Sequence, residues 1–108
     1  MSLIDKAITH FNSKEVRELH IKEWDVTLYS KNLTLGDKAS WLKRADGETT
    51  EYMLYAVIYG VVDAEGKPAF DIGDKIKLKT SVDPEIVSRI ASFVLETSGP
   101  NDEEREKN

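Results

Sequence analysis

The side chains able to do chemistry are few and scattered. Histidine occurs only at positions 10 and 20, and cysteine is absent. A structural or catalytic metal centre takes about three or four converging ligands. No patterned carboxylates accompany His10 and His20, so both read as solvent-facing. Asp63-Ala64-Glu65-Gly66 looks like the opening of a calcium loop. The alternating oxygen ligands and the closing glutamate that such a loop needs are missing. The six glycines stand apart, each beside a turn, so no phosphate-cradling loop exists. A nucleophile elbow and a zinc-protease helix motif are missing too. Most carboxylates fall at helix starts, in turns or near the C-terminus, and nothing marks an acid pair in an apolar pocket that would raise one pKa. The expectation is a protein that is not an enzyme and uses neither metal nor cofactor. What remains is the chemistry of contact. Trp24, Trp41, Tyr52, Tyr55 and Tyr59 are the candidates for a partner-binding surface. Large rings with a polar tip are enriched at interfaces. The competing role for each is core packing, with Trp24 as a lid over a small hairpin.

The element that must position most of these residues is the run from Glu51 to Phe70. No charge interrupts it between Tyr52 and Val62. It is too short to span a bilayer, which takes roughly 20 apolar residues. Tyr52, Tyr55 and Tyr59 share one helical face; Met53, Ala56, Val57 and Gly60 form a neighbouring face of mostly small residues that lets another chain segment come close. Val57, Ile58, Tyr59, Val61 and Val62 also favour a strand, but length and tyrosine spacing predict a helix. Thr49 or Thr50 is the expected N-cap. Asp63 to Pro68 then forces a turn, and Phe70 is placed to fold back on the run.

Around this run the chain reads as follows. Ser2 to Asn12 predicts a short amphipathic helix carrying Leu3, Ile4, Ala7, Ile8 and Phe11. Val16–Ile21 and Val26–Ser30 predict a strand pair joined through Lys22 to Asp25, which must pack on a helix to be stable. Thr34 to Ala45 predicts a helix whose apolar side is Leu35, Ala39 and Leu42 with Trp41. Lys38, Lys43 and Arg44 favour its C-terminal dipole. Asp71 to Thr80 is ambiguous: Ile76 and Leu78 alternate with lysines as in a strand, while Asp74 is suited to cap a helical turn. Asp83-Pro84 starts a last helix, apolar through Ile86, Val87, Ile90, Ala91, Phe93, Val94 and Leu95, ending near Thr97.

The fold class expected is α+β: one mainly helical domain over residues 1–98 with a small N-terminal hairpin, and a disordered polar tail over 99–108. A chain of 108 residues can bury roughly 65% of its unfolded surface without staples. A net charge of −5 and a pI near 5.0 argue against nucleic acid as partner. The first residues lack a basic segment followed by an apolar core, so no secretory signal is expected. A protein partner or a second copy of the chain suits this surface better than a membrane.

The order of elements, with Lys22-Glu23-Trp24-Asp25 in the strand connection and Val61-Val62-Asp63-Ala64-Glu65-Gly66-Lys67-Pro68-Ala69-Phe70 before the last helix, resembles the tail assembly chaperones of long-tailed, lambdoid-type phages and their prophages. The resemblance runs nearly to Leu95, and its motifs are soft. It implies a protein of the host cytoplasm that binds the phage tape measure protein, keeps that apolar rod soluble while the tail tube forms, and is absent from the mature virion. It also implies self-association, and a longer frameshifted form through which the major tail protein could be reached. Glu106-Lys107-Asn108 is compatible with a slippery A-AAA-AAY message. No binding residue carries over from the resemblance. A small phage or bacterial adaptor or regulatory domain would look much the same, and gene position separates the two.

Overall fold

The computed structural model describes residues 2–96. The chain forms helix α1 (Leu3–Ser13), strands β1 (Arg17–Ile21) and β2 (Val26–Ser30), helices α2 (Leu35–Ala45) and α3 (Thr49–Gly60), strand β3 (Val61–Val62), a 3-10 turn (Ile72–Asp74), and helices α4 (Lys75–Thr80) and α5 (Pro84–Leu95). This is the expected α+β arrangement. The tail expected over residues 99–108 and the C-terminal end of the last helix at Thr97 lie outside the described residues.

Helix α3 is the hub: it touches α2, α4, α5 and β3. Leu54, Ala56, Val57, Ile58 and Gly60 are all buried, so α3 is covered over most of its circumference, as an all-round apolar helix must be. Its small-residue face lets neighbours come close. A Cβ added to Gly60 would stand 2.4 Å from Val94 Cγ1 and 3.4 Å from Trp41 Cη2. The N-cap differs from expectation. Glu48 holds that position without a side-chain cap, and Thr49 is already helical. Helix α5 lies against α3 and buries Ile86, Val87, Ile90, Ala91, Phe93 and Val94. It begins as expected, with Asp83 accepting from Glu85 N and proline in the first turn.

The strand reading of the central run is recovered at its end. Val61 and Val62 leave the helix and pair antiparallel with Ser30 and Tyr29, giving the sheet order β1-β2-β3. Two residues are too few to show a period, so only their β-branched types signal the strand. Ile21, Leu28, Ser30 and Val61 are buried beneath the helices, while Glu18 and His20 stand exposed on β1. His20 Nδ1 lies 3.0 Å from Thr27 Oγ1 on the paired strand.

Asp63 organises the turn that follows. Its Oδ1 accepts from Glu65 N at 2.9 Å and Lys67 N at 3.0 Å. The carboxylate that resembled a calcium ligand is occupied by its own backbone. Pro68 then bridges back to Val62, and Ala69 N donates to Val61 O at 3.2 Å, which delivers Phe70 against the sheet.

Two expectations need correction. The alternation around Ile76 and Leu78 is not a strand. Asp71 and Asp74 form a reciprocal capping box on the 3-10 turn, and α4 continues from it, burying Leu78 and leaving Ile76 outside. In α2, Trp41 and Ala45 face the core. Leu35, Ala39 and Leu42, expected to be the packed side, face solvent, Leu35 at 88% exposure. The apolar residues of this helix lie on two faces, and tertiary packing takes the face carrying the largest ring.

Candidate partner-binding surface

Trp24 sits in the exposed connection between β1 and β2 and is 37% exposed. With Val26, Pro68 and Phe70 it lines a groove of about 350 Å³. Pro68 and Phe70 also line a second depression of about 400 Å³, with Tyr59, Val62 and Ile72, rimmed by Lys31 and Asp71. The two hollows therefore share a wall. Together they make one mainly apolar tract from the hairpin turn, over Phe70, to the end of α3. Most of its residues come from segments 24–28, 58–62 and 68–72, which the turn at Asp63 and the bridge at Pro68 bring together.

The candidate rings separate into groups. Trp24 and Tyr59 fall at opposite ends of this tract. Tyr55 and Tyr59 stack with ring centroids 6.1 Å apart. A cation covers each: Lys75 Nζ lies 5.0 Å from the Tyr55 centroid, and the Arg44 guanidinium lies 5.3 Å from that of Tyr59. Both hydroxyls are bonded as well, Tyr55 to Lys75 at 3.2 Å and Tyr59 to Arg44 at 2.7 Å. Tyr52 packs against the core cluster outside this ladder. Trp41 is 5% exposed, with its ring against Gly60, so it belongs to the core rather than to the tract. Phe70 and Ile72 line the tract, and neither is among the candidates read from the sequence. Phe70 was read as an anchor, and nothing in the alternating stretch after it marks Ile72 as exposed.

The charges near the tract are held in place. Lys75 forms an ion pair with Glu51, and Lys79 approaches the same carboxylate at 3.4 Å. The bond from Lys75 holds the Glu51 carboxyl below its ordinary range, and the lysine is raised in return by Glu51 and Tyr55. At the hairpin end, Arg89 Nη1 and Nη2 each donate to Glu23 at 2.9 Å. That fork lowers the Glu23 pKa to about 2. Every buried side-chain polar atom among the described residues has a hydrogen-bond partner. Among the same residues, no cluster of His, Asp or Glu could hold a metal ion, and no helix is long and apolar enough to cross a membrane.

More apolar surface lies outside the tract. Helix α1 buries none of its residues. Leu3, Ile4 and Ile8 of its stripe are exposed, Leu3 at 81%. Ser2 caps its start, and Asn32 Nδ2 donates to Lys14 O at 3.0 Å where the helix joins the body.

No family model matches the chain, and no curated protein matches it. Among solved structures, the chain is similar to the tail assembly chaperone of bacteriophage HK97, at 12% identity and a TM-score of 0.59, over 91% of this chain and 99% of that one. The fold described above is thus the fold of that phage chaperone, nearly end to end.

Proposed function

We propose that this protein is a phage tail assembly chaperone that binds the tape measure protein and keeps it soluble while the tail tube forms. The observation that carries the reading is the likeness in fold to the HK97 chaperone over almost the whole of both chains. The apolar tract through Trp24, Phe70 and Ile72 supports it, because it offers what a helical apolar partner needs: a concave apolar surface with a charged rim. Tyr59 contributes at the α3 end of the tract, with Tyr55 stacked behind it. Tyr52 stays a candidate at the margin.

The same reading has the protein self-associate in the host cytoplasm and stay out of the mature virion. One domain of this size covers only a short part of a long helical partner, so many copies are required. Copies that touch each other also hold the partner more tightly. The exposed stripe of α1 supports this, since large apolar patches left outside a fold commonly mark contact sites. A frameshifted form reaching the major tail protein completes the reading; the codons at Glu106, Lys107 and Asn108 decide whether this end can slip. The work is binding throughout, without metal, nucleotide or catalysis, so chelation leaves it unchanged.

Co-expression with a tape measure protein tests the proposal. The soluble fraction of the tape measure protein should rise with this chain present. An unchanged soluble fraction, with both proteins well expressed, refutes it.

A further inference from the structure

We propose that the Glu23–Arg89 ion pair is a latch that holds the β1–β2 turn in place, so that Trp24 is preset at its end of the binding tract. The inference rests on the tract being the contact surface, as proposed above; the latch itself is tested without any partner.

The Ile21–Val26 pair closes the hairpin and Trp24 lines the groove with Pro68 and Phe70, but within the turn itself the bonds are few. Lys22, Glu23, Trp24 and Asp25 are all exposed. Their own bonds are Trp24 N to Ile21 O at 3.1 Å and Asp25 N to Lys22 O at 3.2 Å. Asp25 has φ of 50°, a left-handed conformation that non-glycine residues adopt at some cost. A turn so built samples other conformations unless something outside it restrains it.

Arg89 supplies that restraint from α5, a helix whose apolar face is buried in the core. It stands on α5 next to Ile90, which is 0% exposed, and one turn before Phe93. Its two parallel bonds reach a residue 66 positions away in the chain. A bidentate fork fixes the orientation of the carboxylate as well as its distance. Glu23 is the residue immediately before Trp24, so fixing one restricts the other. Both partners are partly exposed, at 38% each, and pairs of that kind contribute little to global stability. The effect of the latch therefore falls on the order of the turn, and through it on binding. A contact residue already held in place loses less freedom when a partner arrives.

The full chain with Glu23→Gln, with Arg89→Met, and with the exchange Glu23→Arg/Arg89→Glu tests this by backbone NMR relaxation. The two single variants should lower the heteronuclear NOE of the amides at 22–25 and leave Ile90 and Val94 unchanged. Their melting temperatures should move by no more than about 4 °C. Affinity for a synthetic amphipathic helix of about 20 residues with leucines along one face should fall roughly three- to tenfold, the scale of re-ordering one or two side chains. The exchanged pair should recover part of both losses. Turn amides as rigid in Glu23→Gln as in the unaltered chain overturn the latch. So does a mobile turn with unchanged affinity. If the unaltered protein binds no such helix, the functional reading fails, and the turn amides still decide whether the latch exists.

Discussion

Helices α1 and α5 are both short and strongly amphipathic, yet they end in opposite environments. Helix α5 places Ile86, Val87, Ile90, Ala91, Phe93 and Val94 inside. Helix α1 places none of its residues inside, although Leu3, Ile4 and Ile8 line one face. The apolar pattern tells that a face must be covered. It does not tell what covers it. In α5 the cover is the same chain, because α3 offers the small-residue face at Ala56, Val57 and Gly60. Among the described residues nothing covers the face of α1, and under the proposed function a second copy of the chain would cover it.

That contrast can be broken most forcefully on the α5 side. Phe93→Ala removes a ring that packs inside the fold beneath the Arg17 guanidinium, which lies 5.3 Å from its centroid. It should cost about 3–5 kcal/mol, measured by urea unfolding. An unchanged midpoint would show that α5 is not the core helix.

Gly60→Ala attacks the same contact from α3. The new methyl meets Val94 Cγ1 at 2.4 Å. Val94 is fully buried and its χ1 is stiff, so the neighbours must shift. We expect a loss of about 1–3 kcal/mol, net of any helix-propensity gain. A stabilised variant would mean that α3 and α5 pack more loosely than described.

The opposite outcome is expected for α1. Ile4→Ser with Ile8→Ser should change unfolding free energy by no more than about 0.5 kcal/mol, as exposed substitutions do. The same double variant should lower the mass seen by light scattering at high concentration. A large stability loss would place α1 in the core after all, and an unchanged mass would remove it from self-association.

The smallest effect concerns acid. The Glu23 carboxyl is held near 2 against an ordinary 4.5 by its fork to Arg89, and Glu51 is lowered in the same sense by Lys75. A carboxylate depressed on folding adds stability that is fully present above its unfolded value and is lost as pH falls through the folded one. Melting temperature should therefore decline from about pH 4.5 toward 2, and Glu23→Gln should flatten part of that decline. Parallel curves for the two proteins would show that the pair adds nothing to the folded state.

How much of this was legible follows the same division. Several local signals read well: Asp83-Pro84 starts α5, the helix read from Thr34 to Ala45 is α2 with Thr34 as its cap, and the small face of α3 is where neighbours come close. Signals that depend on which neighbour wins did not. Leu35, Ala39 and Leu42 group with Trp41 as one apolar side in the sequence, but of these only Trp41 reaches the core, where its ring lies against Gly60. The alternation at Ile76 and Leu78 looked like a strand, but two aspartates cap a helix there and only Leu78 finds the core. The apolar tract was the least legible part. Trp24, Tyr59 and the pair Phe70 and Ile72 lie on three separate segments, which the turn at Asp63 with the bridge at Pro68 joins. Trp24 and Tyr59 could be singled out by residue type; their connection through Phe70 could not.

The central claim is that the exterior apolar tract binds an apolar helical partner while the α3–α5 core only supports it. Isothermal titration of a tape measure segment at several temperatures, with the unaltered protein and with Trp24→Ser/Ile72→Ser, tests it most directly. The account predicts binding with a negative heat-capacity change, the mark of apolar burial, and loss of that binding in a variant whose melting temperature is nearly unchanged. Equal binding by both proteins, with the same heat-capacity change, would contradict it.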